Sequence, residues 1–238
     1  MVGASCADQL VKRGFATVAL VRRPLESSPA GLNSVTVDFG HLSERKPTDL
    51  LSAAGLGDRP VTAALCALGT TIKKAGSQAA FRAVDHDAVI AFATWARAAG
   101  ATRFVVVSSV GADAGASNFY LRVKGEMEAG LRALGFSRLV ILRPSFLKGD
   151  RQERRLGESI AGVLFPVVQP LLAGSLRRYR SIDATTVARA MVAAATTDAP
   201  PDAVWEHDEI VRAANTLTDS ESTAVPGPTA GRRSGRRA

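Results

Sequence analysis

Two side chains that can exchange a proton lie one helical turn apart in this chain, downstream of two hydroxyls. Tyr120 and Lys124 form a Tyr-x-x-x-Lys pair that follows the Ser108-Ser109 doublet. Side chains four residues apart leave the same face of a helix. A phenol beside an ammonium exchanges a proton with an alcohol or a carbonyl near neutral pH, while a serine hydroxyl holds the substrate oxygen. This set predicts the proton chemistry of a nicotinamide-dependent oxidoreductase.

A second interpretation is an ordinary helix with a buried tyrosine and a solvated lysine. The apolar run 104–107 directly before the serines favours the catalytic interpretation, because it would place their hydroxyls at the end of a strand. Successive residues of a strand point to opposite faces, so Ser108 and Ser109 would be separated. The predicted catalytic residues are therefore Ser109, Tyr120 and Lys124, with Ser108 the less favoured donor to the substrate oxygen.

The composition indicates one folded domain followed by a basic tail. The 238 residues carry a net charge of +8 and are 46% hydrophobic, which suits one α/β domain over residues 1–212. Thr, Ser, Pro, Gly and Arg dominate from Ala213 onward, so residues 213–238 are predicted to be a disordered basic tail. The positive charge suits an anionic ligand such as a dinucleotide phosphate. Nucleic acid is disfavoured as a partner, because only 5% of the residues are aromatic.

The cysteines, the histidines and one apolar stretch indicate the compartment and the kinds of site that the protein can have. Cys6 and Cys66 are far apart and suit small core residues in a reducing compartment, so a cytoplasmic location is expected. The 3 histidines are isolated from one another, which disfavours a metal site. The apolar stretch 160–172 contains two prolines and is too short to span a bilayer. It is predicted to cover a pocket or a subunit contact.

Strand and helix signals alternate along the chain. The predicted strands are nearly continuous apolar runs at residues 15–21, 35–39, 61–68, 103–107 and 138–142. The predicted helices cover residues 3–13, 43–54 and 77–99, the segment with Tyr120 and Lys124, and a segment from Asp183 to about Ala195. Repeated units of this kind predict an α/β fold with a parallel sheet covered by helices on both faces. Ligands of such folds bind at the carboxyl ends of the strands.

Several motifs occur here in the order known from one protein family. They are Cys66-Ala-Leu-Gly-Thr-Thr, Val84-Asp-His-Asp, Ser108-Ser-Val-Gly-Ala-Asp, Ser117-Asn-Phe-Tyr-Leu-Arg-Val-Lys-Gly-Glu, Arg143-Pro144 and Asp150-Arg-Gln-Glu. Over residues 1–196 the chain resembles the Tat-interacting-protein oxidoreductase-like branch of the atypical short-chain dehydrogenases. The resemblance implies a Rossmann-type doubly wound sheet that binds a nicotinamide dinucleotide. It also implies hydride transfer to or from a small carbonyl or alcohol, with a homodimer left open.

The same resemblance implies roles for single residues. Tyr120 would be the general acid or base, Lys124 would contact the cofactor ribose, and Ser109 would hold the substrate oxygen. The residues expected to border the cofactor are Leu68, Gly69 and Thr70 beside the nicotinamide ribose, and Pro144. Elements that follow Pro144 would form the substrate pocket.

The first residues of the chain depart from the family pattern. The family opens with a strand and a Gly-x-x-Gly-x-x-Gly motif that cradles the pyrophosphate at a helix N-terminus. Met1-Val2-Gly3 matches the last three positions of that motif, which makes Gly3 the remaining pyrophosphate-binding glycine. The opening strand of the family has no counterpart here. In the family it would lie in the middle of the sheet, between the strands predicted at 15–21 and 61–68. We therefore expect an N-terminally truncated Rossmann domain that lacks its first, central strand.

Two further positions bear on the cofactor. Arg22 and Arg23 follow a strand where a 2′-phosphate would be met, and no acidic residue stands there, so NADP(H) is favoured over NAD(H). A solvated strand end is the competing interpretation. Asp38 would accept a hydrogen bond from the adenine amino group or begin a turn. The overall prediction is an NAD(P)(H)-dependent oxidoreductase, and the alternative is a non-catalytic dinucleotide-binding regulator or interaction protein on the same fold.

Overall fold

A computed structural model describes residues 1–57, 59–148 and 174–222. The strands are β1 Thr17–Val21, β2 Leu32–Thr36, β3 Ala63–Cys66, β4 Arg103–Val107, β5 Arg138–Leu142, β6 Leu147–Lys148, β7 Ile182–Asp183 and β8 Ala203–Trp205. The α-helices are α1 Val2–Lys12, α2 Pro47–Ala53, α3 Ile72–Ala75, α4 Gln78–Arg82, α5 Ala88–Ala98, α6 Phe119–Ala133, α7 Ala184–Thr196 and α8 His207–Ser222. Phe39–Glu44 and Gly174–Tyr179 are 3-10 helices, and a π turn, Ala83–Asp87, joins α4 to α5. No helix in these ranges is long and apolar enough to cross a membrane.

The paired strands are parallel. One sheet has the order β3-β4-β5-β8, while β1 pairs with β2 and β6 pairs with β7. In the larger sheet, Phe104 of β4 is in register with Ala64 of β3 on one side and with Leu139 of β5 on the other. Helices connect the successive strands of this sheet, which confirms the predicted α/β fold with parallel strands.

Alternate side chains of β4 enter two different cores. Phe104 is buried on one face of the sheet in a cluster that includes Trp95 of α5. Val105 is buried on the other face, in a cluster that includes Met191 of α7 and Ile210 of α8. Burial of one such side chain contributes about 1.5–3 kcal/mol to folding. Helices therefore cover both faces, which explains why the strands are apolar at nearly every position.

The sheet is divided where its central strand was expected to be missing. Within the described ranges, no strand is hydrogen-bonded between β1 and β3. Leu20 of β1 and Val35 of β2 nevertheless pack on the same core as Cys66 of β3. Both parts thus belong to one folded unit, and β1 and β3 each have one edge without a strand partner in the described chain.

The second strand lies earlier in the chain than predicted. It was expected at residues 35–39, but β2 ends at Thr36 and Phe39 begins a 3-10 helix. The Asp38 side chain caps this helix by accepting a hydrogen bond from the Gly40 amide at 2.9 Å. Phe39 is then buried with its ring 6.4 Å from that of Phe92. A local side-chain cap and one buried aromatic ring therefore override the strand propensity of this segment.

The predicted start of the tail at Ala213 is wrong. Helix α8 continues to Ser222, and Ala214 and Leu217 are buried in the second core. Ile210, Ala214 and Leu217 follow the helical spacing of an apolar face, which the polar composition of this segment concealed. Residues 223–238 lie outside the described residues, as do the motif at 150–153 and the apolar stretch 160–172.

Both cysteines are free thiols in the core. Burial away from water raises the pKa of Cys6 to about 12 and that of Cys66 to about 11. We expect neither thiol to react with a dithiobis(nitrobenzoate) reagent at mildly alkaline pH in the native protein, and both to react rapidly in denaturant. Labelling of the native chain at the denatured rate would contradict the burial of the labelled cysteine.

Candidate active site

Helix α6 carries Tyr120 and Lys124 in its first two turns. The helix begins here because the Asn118 side chain accepts a hydrogen bond from the Leu121 amide at 3.2 Å. The half-buried ring of Tyr120 packs against Phe81, with ring centroids 5.4 Å apart. Among the described residues, no protein group hydrogen-bonds to the Tyr120 hydroxyl. The ring is thus held by packing while its hydroxyl remains available to a substrate oxygen.

Lys124 is buried and paired with Asp85, the residue in the Val84-Asp-His-Asp motif. The Lys124 Nζ lies 2.8 Å from Asp85 Oδ1, and the two side chains are only 5% and 1% exposed. The other carboxylate oxygen of Asp85 accepts a hydrogen bond from the Thr70 amide at 2.8 Å. Lys124, which was predicted to be catalytic, is therefore linked to the Gly69-Thr70 loop after β3, which is the predicted cofactor wall. This pairing could not be predicted from the sequence, because helical and strand periodicity relate only residues that are close together along the chain.

The two serines at the end of β4 have different surroundings. Ser108 is buried, and its hydroxyl donates a hydrogen bond to Glu128 Oε1 at 2.6 Å. Ser109 is half-buried, and its hydroxyl has only a long contact of 3.4 Å to the Val110 carbonyl. The Ser108 hydroxyl thus donates its hydrogen bond to a group inside the protein. Ser109 keeps the freer hydroxyl, although no described contact joins it to Tyr120 or Lys124.

Glu128 connects α6 to the ends of β4 and β5. Its carboxylate is 1% exposed and accepts hydrogen bonds from Arg143 Nε at 2.9 Å and Nη2 at 2.5 Å. These bonds raise the pKa of the Arg143 guanidinium above its ordinary value. Pro144 is buried next to it, and its carbonyl accepts a hydrogen bond from the Val110 amide at 3.1 Å. Spacing could have found Glu128, because it continues the four-residue series of Tyr120 and Lys124.

The loop after β4 lies directly on α6 at Gly125. A Cβ at this position would come within 2.1 Å of the Asp113 carbonyl carbon and of the Ala114 nitrogen. The loop is further held by a hydrogen bond from the Asp113 amide to the Leu121 carbonyl at 3.2 Å. The glycine that follows Lys124 therefore lets the segment after Ser109 reach α6.

The fold also contains a cleft of about 580 Å³. It is lined at the carboxyl ends of β1, β2 and β3, and by the π turn and the start of α5, through Arg22, Thr36, Val37, Asp38, Phe39, Gly40, Leu68, Ala83, Val84 and Ala88. Leu68 is two residues from Thr70, and Val84 is adjacent to Asp85. Three of the predicted cofactor residues, Arg22, Asp38 and Leu68, therefore border one cleft, and Lys124 is linked to its wall only through Asp85.

Asp38 and the two arginines differ in how they border this cleft. Asp38 accepts hydrogen bonds from the His41 ring and the Gly40 amide, which lower its pKa from the ordinary value. It therefore begins a turn, the second of the two predicted roles, while also lining the cleft. Arg22 lines the cleft, whereas Arg23 is exposed next to it.

Gly3 occupies the first turn of α1. A Cβ there would lie 3.6 Å from the Cβ of Ala67, which is an ordinary contact distance. Ala67 directly precedes Leu68 of the cleft wall. The start of α1 is therefore beside the carboxyl end of β3, where a helix N-terminus meets a pyrophosphate in dinucleotide-binding folds.

The chain is similar in sequence to one protein family and to several known proteins. The family described as NAD(P)H-binding matches residues 1–199. The chain is 38% identical to Protein HTATIP2 of Rattus norvegicus over 182 residues, which cover 75% of this chain and 69% of that protein. It is 43% identical to "Protein FMP52, mitochondrial" of Coccidioides immitis over 127 residues, which cover 53% of this chain and 52% of that protein. The chain thus spans about half the length of this second relative.

Solved structures of similar fold are more distant in sequence. Thermoplasma acidophilum aldohexose dehydrogenase in ligand-free form superposes with a TM-score of 0.64 at 13% identity, over 97% of this chain and 93% of that chain. The Bordetella bronchiseptica enzyme WbmH in complex with NAD+ superposes with a TM-score of 0.61 at 15% identity, over 96% and 81%. These likenesses show the Rossmann-type fold. Since the family match spans most of the chain, this protein belongs to the NAD(P)H-binding family of atypical short-chain dehydrogenases.

Proposed function

We propose that the chain is an NADP(H)-dependent oxidoreductase that acts on a small carbonyl or alcohol. The observation that carries this proposal is the link from Lys124 through Asp85 to the loop that follows the cleft residue Leu68. Its ammonium is bound to Asp85, which in turn holds the Thr70 amide two residues from Leu68 of the cleft. Tyr120 stands one helical turn before Lys124, and no described residue hydrogen-bonds to its hydroxyl. A buried cation is thus linked through Asp85 to the loop that follows Leu68 of the cleft, and this cleft lies at the carboxyl ends of parallel strands, where dinucleotides bind in this kind of fold.

The residues of this chain fit the dinucleotide in charge and position. Arg22 would meet the 2′-phosphate, Leu68 and the Gly69-Thr70 loop would border the nicotinamide ribose, and Gly3 would adjoin the pyrophosphate. Pro144 is buried beside Arg143 and would border the nicotinamide end only through its backbone. The nicotinamide ring, when bound, supplies or accepts the hydride at the substrate carbon.

Tyr120, Ser109 and Lys124 would carry the remaining chemistry. In carbonyl reduction the Tyr120 hydroxyl gives its proton to the oxygen as the hydride reaches the carbon, and the phenolate is reprotonated from solvent. In alcohol oxidation the same proton moves in reverse. Ser109 would donate a hydrogen bond to the substrate oxygen. The Lys124 ammonium would stabilise the phenolate by its positive charge.

The proposal is tested by binding first and turnover second. Purified protein would be titrated with NADPH and with NADH, and bound nucleotide followed by its fluorescence. Small aldehydes and ketones would then be screened for oxidation of the reduced nucleotide. Saturable binding with turnover of at least one carbonyl supports the proposal. Absence of binding for both nucleotides would refute it.

We expect Arg22→Ala to remove the preference for NADPH over NADH. One guanidinium in reach of the 2′-phosphate forms charge-assisted hydrogen bonds that together are worth about tenfold to a hundredfold in affinity. NADH affinity should stay nearly unchanged, because NADH lacks this phosphate. Arg23→Ala is the matched control, since Arg23 is exposed but does not line the cleft. Equal affinity of the unmodified protein for both nucleotides would count against the predicted cofactor preference.

A dinucleotide-binding regulator without turnover is the second candidate. The ion pair between Lys124 and Asp85 favours this candidate, because the buried carboxylate offsets the positive charge that would otherwise lower the pKa of a catalytic phenol. Tight and saturable NADPH binding without oxidation by any carbonyl in the screen would support the regulator. Turnover abolished by Tyr120→Phe would support the enzyme.

We also propose a cytoplasmic location, supported by the two free, buried cysteines, because reducing compartments such as the cytoplasm keep thiols unpaired. The name of the Coccidioides immitis relative includes "mitochondrial", which makes the mitochondrion the competing location. Fractionation of cells that express the chain with a C-terminal tag would separate these outcomes.

A further inference from the structure

Asp85 lies in the π turn that joins α4 to α5 and is 1% exposed. π turns hold one more residue than an α-helical turn and occur frequently at functional sites. The preceding residues Ala83 and Val84 line the cleft. The turn therefore places a buried carboxylate directly behind the cleft wall.

Both oxygens of this carboxylate are used, and by different parts of the chain. Oδ1 lies 2.8 Å from Lys124 Nζ on α6. Oδ2 accepts the Thr70 amide hydrogen bond at 2.8 Å in the loop after β3. A Cβ at Gly69 would lie 3.4 Å from Oδ1, so the loop backbone approaches the carboxylate closely. One side chain thus sets the distance between the catalytic helix and the cleft wall.

We propose that Asp85 is a positioning residue that holds the Lys124 ammonium and the Gly69-Thr70 loop in place for a nicotinamide dinucleotide. This inference rests on the proposed function. An ammonium has three N–H donors, and Asp85 takes one, which leaves others for ribose hydroxyls. The bond to Thr70 keeps the loop, and Leu68 with it, at the cleft wall.

A gain in folding stability does not by itself explain the buried ion pair of Asp85 and Lys124. Desolvation of two buried charges largely offsets their attraction, so a buried ion pair adds little net stability compared with apolar residues of the same shape. Loss of one partner is nevertheless costly, because the other charge is then buried without a counterion. These two facts give the pair a signature that a melting experiment can detect.

The first experiment is a double-mutant cycle without cofactor. Asp85→Asn and Lys124→Met should each lower the Tm, by roughly 10 °C, because each leaves one buried charge unpaired. The double variant should melt above at least one single variant, because it leaves neither. Glu126→Gln is the matched control. Its ion pair with Arg82 also joins α6 to α4 but is partly exposed, so its Tm should change by only a few degrees.

The second experiment measures positioning by NADPH affinity well below the Tm of each variant, so that only folded protein is compared. Asp85→Asn should bind NADPH at least about tenfold more weakly than the unmodified protein, as expected when charge-assisted contacts are lost. Glu126→Gln should bind with unchanged affinity. A merely structural carboxylate would lower the Tm and leave the affinity unchanged.

The outcomes separate this inference from the proposed function. Unmodified protein that binds NADPH, with Asp85→Asn equally tight, overturns the positioning role and leaves the proposed function standing. Unmodified protein that binds neither NADPH nor NADH overturns both. Strictly additive Tm changes in the cycle would show that Asp85 and Lys124 do not interact, which also overturns the inference.

Discussion

Gly125→Ala is expected to destabilise the protein severely, although alanine favours a helix over glycine by about 1 kcal/mol. The new Cβ would lie 2.1 Å from backbone atoms of Asp113 and Ala114, which cannot rotate away as a side chain can. Overpacking in a core typically costs about 1–3 kcal/mol, and a clash with backbone belongs at or above the upper end of that range. The free energy of unfolding would be measured by circular dichroism in urea. Catalysis should fail as well, since the displaced loop follows Ser109.

Gly130→Ala provides the control on the same helix. Its Cβ would lie 2.9 Å from Ile90 Cδ1, the end of a flexible side chain that can move. We expect its free energy of unfolding to stay within about 1 kcal/mol of the unmodified value. If Gly125→Ala is as stable as Gly130→Ala, the loop does not pack on α6 as described.

Tyr120→Phe is expected to lower turnover by about a hundredfold to ten-thousandfold, the usual contribution of a general acid or base. Dinucleotide affinity and stability should change little. The substitution removes only a hydroxyl that has no hydrogen-bond partner in the described part of the chain, and the ring can keep its contact with Phe81. Turnover would be measured as oxidation of NADPH by a carbonyl from the screen, and affinity by nucleotide fluorescence.

Tyr179→Phe is the matched control, because the chain has 2 tyrosines and Tyr179 lies outside α6, in the 3-10 helix Gly174–Tyr179. Its turnover should equal that of the unmodified protein. Full activity of Tyr120→Phe on any substrate would remove this residue from the mechanism whatever the fold.

The predictable part of the fold rests on local signals. The strands predicted at 103–107 and 138–142 match β4 and β5 to the residue, because each is a short apolar run with clear ends. Boundaries failed where one contact decides them. Asp38 caps a 3-10 helix and ends β2 early, while Ala214 and Leu217 extend α8 into the predicted tail. Neither contact leaves a strong signal within a short window of sequence.

The sequence by itself determined the parallel α/β architecture and the presence of Tyr120 and Lys124 on one helix face. Periodicity and motif order carry this information, since they depend on neighbours along the chain. Only the tertiary structure decided that Asp85 pairs with Lys124, that Glu128 holds Ser108, and that a loop rests on Gly125. These are contacts between segments far apart in sequence, and burial is what makes them specific. A buried charge is costly unless an opposite charge lies next to it, and a glycine is required only where another backbone approaches closely.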